Sequence, residues 1–417
     1  MTYELALAYL AGLNESRIRP GLERISAVLS RLGSPHLDYP HIIVGGTNGK
    51  GSVVALMGAV LDAAGYRAGR FTSPHLERFE ERIVVAGREA APAEVADLGS
   101  AVRRTGVDLS YFEFATAMAL LHFSRSGARV ALLEVGLGGR WDATNATEPI
   151  LSVITGISLD HQSWLGESIR EIATEKGMIM RRERPVVIGC DDEDALQVLL
   201  SMAGSAGAKV LLRGRDFRAR WEGQGDTLQF EGRRWSMSGL RLGLPGRFQI
   251  GNAAVALAAL EVLDTEGFPV DGRHVAEGLE GARWRGRFHL FGGSPAIIVD
   301  AAHNREAARA LVGSIPEGAS VVWVLSALGD KDLGGMATEM LRVGSRFVLV
   351  PLDHPRAMTT GELRSRMPPE ALVTLSGSLP EGIEEARRQA GEKGLVVVAG
   401  SVFLAAKALG TLEGLRG

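Results

Sequence analysis

The stretch Val44-Gly45-Gly46-Thr47-Asn48-Gly49-Lys50-Gly51-Ser52 decides the fold. Before it, His41-Ile42-Ile43-Val44 is a short, β-branched run that reads as a buried strand. After it, Val53, Leu56, Met57, Val60, Leu61 and Ala64 recur at helical spacing, and Gly65 marks a stop. Strand, glycine-rich turn and helix start, in that order, make an anion site, because free amides and the positive end of the helix dipole face the ligand. Glycines let the backbone approach phosphate oxygens, and Lys50 adds a mobile charge for the outer phosphates. The match to G-x-x-x-x-G-K-[ST] is imperfect: Val44 stands at the first glycine, and Gly51 separates Lys50 from Ser52. An ordinary glycine-rich turn is the bland alternative.

The 417 residues suffice for two or three domains with proper cores. Hydrophobic residues at 46% and charged ones at 23% describe a soluble globular chain. A net charge of -3 gives no reason to expect nucleic acid or an anionic membrane as partner. The single cysteine, Cys190, cannot form an internal disulfide and reads as a small buried residue. Glu4 comes early with no basic segment, unlike a signal peptide, and no apolar run reaches the roughly 18 residues of a membrane helix. The expected location is the cytoplasm.

Outward from the loop, the chain alternates strands and helices. Residues 3–13 and 21–32 read as helices around Asn14-Glu15-Ser16-Arg17-Ile18-Arg19-Pro20, a surface loop whose arginines are either solvated or face a substrate. Strands are expected at 67–71, 129–135, 150–155, 185–188 and 209–212, with a turn into a strand over 80–85. Helices are expected at 92–104, 111–126 and 168–176, and in the Ala-Leu run to Leu263 that Gln249 and Asn252 precede. Short alternating runs within 217–244 suggest β-hairpins at the domain edge. Residues 277–285, with Gly278 and Gly281, read as a linker. A second αβ alternation follows, with strands at 296–299, 321–325, 347–351, 372–375 and 395–399. The expected class is α/β: a doubly wound, mainly parallel sheet with a small β edge in a domain over 1–280, then a Rossmann-like α/β domain over 281–417.

Polar residues gather where strands end, which is where an α/β sheet places ligand contacts. Ser73 and His75 flank Pro74 after one strand, and Glu134 interrupts the apolar run Val130-Ala131-Leu132-Leu133 at the end of another. A buried carboxylate needs a cation or strong donors, so Glu134 either pairs with an arginine or holds a metal. Its place on the same edge as the phosphate loop favours the metal. Asp160-His161 follows the next strand. Lys176 falls on the stripe of Ile169, Ile172 and Ala173, and an inward lysine snorkels, finds a partner, lowers its pKa or is modified.

In order, Gly-Thr-Asn-Gly-Lys-Gly-Ser, Ser73-Pro74-His75, Tyr111-Phe112-Glu113, Glu134-Val135-Gly136-Leu137-Gly138-Gly139, Asp142-Ala143-Thr144-Asn145, Asp160-His161, Glu175-Lys176, Gly286-Arg287, Asp300-Ala301-Ala302-His303-Asn304 and Asp330-Lys331-Asp332 span nearly the whole chain. Singly they are weak; in this order they resemble the Mur ligase superfamily, in its folylpolyglutamate synthase and dihydrofolate synthase branch. The resemblance implies a P-loop-type ATPase domain followed by a glutamate-ligase domain. It also implies an ATP-dependent carboxylate–amine ligase that adds L-glutamate to a folate or to dihydropteroate through an acylphosphate.

The same resemblance implies that Thr47, Asn48, Gly49, Lys50, Gly51 and Ser52 hold the phosphates of ATP, and that Gln249 and Asn252 contact adenine; Phe248 stands where the family has a histidine. It implies Ser73, Glu134 and His161 as ligands of Mg²⁺, and a carbamylated Lys176 as ligand of a second Mg²⁺. A single His on Mg²⁺ is unusual chemistry, supplied by the resemblance alone. Glu175-Lys176-Gly177-Met178-Ile179 departs from the family's Glu-Lys-Ala-Gly-Ile. Arg19, Pro20, Phe112, Glu113, Trp141, Asp142 and Ala143 are implied on the folate side. Arg287 and Asp300 are implied at ATP, and His303 beside the γ-phosphate and glutamate. A monomer is expected. The rival readings are a ligase of a UDP-muramyl wall precursor, a P-loop NTPase without ligase activity and a non-catalytic binder.

Overall fold

The structure is a computed structural model that describes residues 1–13, 19–223 and 226–414. Asn14 to Ile18, in the expected surface loop, lie outside the described residues. The chain forms two compact units, residues 1–243 with 250–283 and residues 244–249 with 284–417.

The first unit is built on eight strands: β1 His41–Gly45, β2 Ala68–Phe71, β3 Ile83–Val85, β4 Arg88–Glu89, β5 Val130–Glu134, β6 Leu151–Ile154, β7 Pro185–Ile188 and β8 Lys209–Leu212. Their order is β4-β3-β2-β5-β1-β6-β7-β8. Only the β2–β3 and β3–β4 pairs are antiparallel. Every residue of β1 and β5 is buried, as continuous Val, Ile and Leu runs require of a parallel sheet covered on both faces. The helix Lys50–Ala63 carries the chain from β1 over β5 to β2, whereas the later crossover returns from β5 over β1 to β6. The crossovers therefore part at β1, and its carboxyl end is the crevice where such sheets bind ligands. Register places Val44 beside Glu134 on one flank and Gly45 beside Ile154 on the other.

Local chemistry sets the helix ends. Ser110 and Glu113 cap the helix Tyr111–Arg125 reciprocally, and Ser168 with Glu171 does the same for Ile169–Gly177. The hairpin region forms an antiparallel sheet of β9 Arg218–Glu222, β10 Thr227–Glu231 and β11 Ser236–Leu240. Glu261, buried in the helix Gln249–Thr265, anchors its turn by accepting from the amides of Arg233, Arg234 and Trp235.

The expected linker is right in placing a unit boundary, which falls between Arg283 and Trp284, but its first half is corrected. Residues 277–281 end a helix, Gly272–Gly281, that packs along Lys50–Ala63. A Cβ on Gly278 would stand 2.4 Å from the Cα of Val60, so this glycine permits a close helix crossing rather than flexibility. The helix Glu193–Ala206, between β7 and β8, was not among the expected elements.

In the second unit a six-stranded sheet comprises β12 His289–Phe291, β13 Ala296–Val299, β14 Val321–Leu325, β15 Arg346–Leu349, β16 Leu372–Leu375 and β17 Leu395–Ala399, in the order β12-β13-β17-β14-β15-β16. It is parallel except for β12, an antiparallel edge strand too short to show a pattern in sequence. Trp323 and Phe347 fill its core. Among the described residues, no helix is long and apolar enough to cross a membrane.

Candidate active site

The phosphate loop leaves β1 with Gly46 and Gly49 at φ of 136° and 87°, conformations open to glycine. Neither position has room for a side chain. A Cβ on Gly46 would stand 2.1 Å from Thr155 Oγ1, and one on Gly49 would stand 2.3 Å from Asn252 Oδ1. The end of β6 braces the loop from behind. Thr47 N donates to Gly156 O at 2.7 Å, Thr155 Oγ1 donates to Asn48 O at 2.7 Å, and Thr47 Oγ1 donates to Ser158 O at 3.2 Å. Lys50 opens the helix Lys50–Ala63 and folds back, its Nζ donating to Gly46 O at 3.1 Å and Thr47 O at 3.0 Å. The protein's own contacts thus shape the loop for an anion.

Ser73 and Glu134 meet: the Ser73 amide donates to Glu134 Oε2 at 3.0 Å, orienting the buried carboxylate at the end of β5. His161 lies beyond β6, across β1 from Glu134, with φ of 52° and its ring half exposed. The preceding Asp160 is buried and accepts from the His161 amide at 2.8 Å. Among the described residues, no cluster of three His, Cys, Asp or Glu side chains forms a closed metal cage. One oriented carboxylate, a serine and a histidine around a phosphate loop instead suit an oxygen-seeking divalent cation completed by phosphates and water. The carboxylate and the serine fit Mg²⁺, and the histidine is the donor that Mg²⁺ takes least readily.

Lys176 sits near the end of the helix Ile169–Gly177 and is only 4% exposed. Its Nζ donates to Gly46 O at 2.9 Å, the same carbonyl that Lys50 uses. Burial, with help from the Lys50 charge, pushes the amine down to about 7, against the pull of Asp160 and Asp142. A neutral amine is thereby accessible near neutral pH.

The residues expected on the folate side play visibly different parts. Arg19 pairs with Asp108 at 2.7 Å and is followed by Pro20. Glu113 pairs with Arg24 at 3.0 Å while capping its own helix. The Phe112 ring leaves no room for a Cβ on Gly136 and lies 5.5 Å from the Phe71 ring. Trp141 is 51% exposed. Asp142 turns inward, accepting from the amides of Gly136, Leu137 and Thr144 and from the Thr144 hydroxyl. Both of its oxygens are committed to the loop, whose shape it fixes, and burial raises its pKa. Ala143 is buried behind it.

In the second unit, Asp300 follows β13 and accepts from the amides of Phe288 and Ala302, each at 2.7 Å. Burial raises its pKa, and the charge of Arg287 opposes that rise. His303 Nδ1 lies 2.9 Å from Ala301 O, and Asn304 caps the helix Arg305–Val312. Gln249 is fully buried at the start of its helix.

Sequence reasoning missed the braces, Thr155 and Ser158, although a threonine before Gly156 at a strand end is a visible signal. It also missed Arg181, whose guanidinium ties the carbonyls of Met178, Ile179 and Met180 to those of Asn145 and Thr147. This fastens the segment after Lys176 to the loop that carries Asp142.

A braced phosphate loop, an oriented carboxylate and an inward lysine around one mainly parallel sheet, in a chain that continues into a Rossmann-like unit, are the parts of a nucleotide-dependent ligase. The Mur ligase middle domain matches residues 44–260, and the Mur ligase glutamate ligase domain matches residues 286–402. The dihydrofolate synthase/folylpolyglutamate synthase of Escherichia coli is 36% identical over 86% of this chain and 83% of its own length. A probable bifunctional folylpolyglutamate synthase/dihydropteroate synthase of Halobacterium salinarum is 33% identical over 98% of this chain, which spans about half (51%) of that relative. The E. coli FolC structure in complex with DHPP and ADP superposes with a TM-score of 0.91 at 33% identity, covering 100% of this chain and 99% of that one. A bifunctional folylpolyglutamate synthase/dihydrofolate synthase structure with Mn, AMPPNP and L-glutamate bound gives 0.88 at 31% identity, covering 99% of this chain and 98% of that one. The chain belongs to the Mur ligase family, as an ATP-dependent ligase of its folylpolyglutamate synthase/dihydrofolate synthase branch.

Proposed function

We propose that the chain joins L-glutamate to a folate, and to dihydropteroate, at the expense of ATP. The observation that carries this reading is the braced loop with Lys50 and Lys176 converging on Gly46 O, beside a Glu134 already oriented by Ser73. Thr47, Asn48, Gly49, Lys50, Gly51 and Ser52 hold the phosphates, and Lys50 follows the charge of the transferred phosphoryl group. Ser73, Glu134 and His161 hold Mg²⁺, which neutralises phosphate charge when bound. Lys176, carbamylated, becomes an anion able to hold a second Mg²⁺. The substrate carboxylate takes the phosphoryl group, and the amine of L-glutamate displaces phosphate from the acylphosphate.

Phe112 and Trp141 supply apolar contact for the folate, and Asp142 and Ala143 shape the loop that receives it. Arg19, Pro20 and Glu113 support that side. Asn252, Gln249, Arg287 and Asp300 serve ATP, and His303 serves the γ-phosphate and incoming glutamate. Residues 1–280 carry ATP and folate, and 281–417 the glutamate-ligase part. The enzyme works as a monomer in the cytoplasm.

Relatives named for these activities, and related structures holding ADP, DHPP, Mn or L-glutamate, support the reading. The test is ADP release with dihydropteroate, tetrahydrofolate or a UDP-muramyl substrate, each with and without L-glutamate. Glutamate-dependent release with either pteridine is expected. Release that needs the UDP-sugar, or that ignores glutamate, overturns the proposal.

A further inference from the structure

The segment from Ser158 to Leu165 is held at both ends. At its start, the Ser158 amide donates to Thr47 Oγ1 at 3.1 Å, and Asn48 Nδ2 reaches Ser158 Oγ at 3.5 Å. At its end, Leu165 tucks against the loop that carries Trp141, its Cδ2 3.0 Å from where a Cβ on Gly138 would stand. The segment therefore bridges the phosphate loop and the loop assigned above to the folate. Its interior holds two large apolar side chains in water, Leu159 at 48% and Trp164 at 54% exposure, and Trp141 at the far side is 51% exposed. Large apolar side chains left exposed on a segment tied to a phosphate loop are candidates for ligand contact.

We infer that Trp164 stacks against the aminobenzoyl ring of the folate-type substrate and helps set its affinity. The inference rests on the folate reading proposed above. The substrate must lie with its heterocycle at one end and its reacting carboxylate at the phosphates; the aryl ring stands between them, bearing that carboxylate itself in dihydropteroate and reaching it through the glutamate in a folate. The bridge spans that same interval. Trp164, exposed on that bridge next to the held Leu165, is the aromatic side chain the bridge supplies. An aromatic pair of this kind binds through offset or edge-on contact and changes little when the reacting carboxylate gains a phosphate. Its loss should weaken binding of ground and transition states alike, raising KM without slowing the chemical step.

The test uses the full chain with Trp164→Ala and Trp164→Phe. The alanine variant should raise KM for dihydropteroate and tetrahydrofolate roughly tenfold. Its kcat, its KM for ATP and its melting temperature should stay near wild type, and phenylalanine should restore most of the loss. p-Aminobenzoylglutamate, as an inhibitor lacking the pterin, should also weaken roughly tenfold against the alanine variant. An unchanged KM and inhibition constant overturn the inference, as does an equal loss in ATP binding and thermal stability. A wild-type chain that ligates no pteridine defeats the functional proposal instead, whereas an active wild type with an indifferent alanine variant defeats the Trp164 contact alone.

Discussion

Lys176 donates its Nζ to the carbonyl oxygen of Gly46 at 2.9 Å, across 130 residues of sequence. The contact ties a helix end to the phosphate loop and keeps the amine out of water. Burial holds that amine at about 7 rather than at an ordinary lysine value.

Lys176 should consequently react with CO₂ near neutrality, because carbamate forms from the neutral amine. The lowered pKa means the amine is neutral above about pH 7 and charged below it, so activity should fall as pH drops through that point. Lys176→Ala should be inactive and partly rescued by acetate. A wild-type enzyme indifferent to CO₂ depletion at about pH 8 would refute carbamylation.

Lys50→Ala removes a charge that follows the phosphoryl group into the transition state. A loss of ~10²-fold or more in kcat is expected. Near-normal ADP release would place the phosphates elsewhere.

Glu134→Gln keeps the Ser73 amide contact geometrically possible but removes the anionic charge. Activity should then demand far more Mg²⁺, with an unchanged circular dichroism spectrum. An unaltered Mg²⁺ titration would make Glu134 a structural anchor.

His41, buried in β1, has its pKa pushed down to about 4, chiefly by burial. Between about 4 and the unfolded value of about 6.5 the unfolded chain binds the extra proton, so stability rises with pH across that window. Acidification should cost the first unit up to about 3 kcal/mol through this group. Urea melts of His41→Val should show less acid sensitivity than wild type; parallel pH profiles would contradict this.

Gly278→Ala should destabilise by ~1–3 kcal/mol, because the new methyl meets the backbone of Val60. Gly281→Ala, with nothing within 4 Å of its would-be Cβ, should cost nothing. Equal, negligible effects at both sites would restore the view of this segment as a flexible link.

The sequence by itself determined the phosphate loop, the parallel strands around it and the inward face of Lys176. These are local properties: β-branched runs, glycine spacing and a helical stripe record which side of an element is buried. Tertiary structure alone decided what lies opposite. Asp142 is expected at the substrate, and only the structure shows that its carboxylate also accepts from four donors of its own loop. Gly278 and Gly281 look alike in sequence, yet only Gly278 meets another helix. The brace from Thr155 and the meeting of Lys176 with Gly46 O depend on strand order, which brings β6 beside β1. Periodicity carries no record of that order, since a strand buried on both faces has the same apolar pattern whichever neighbour it takes.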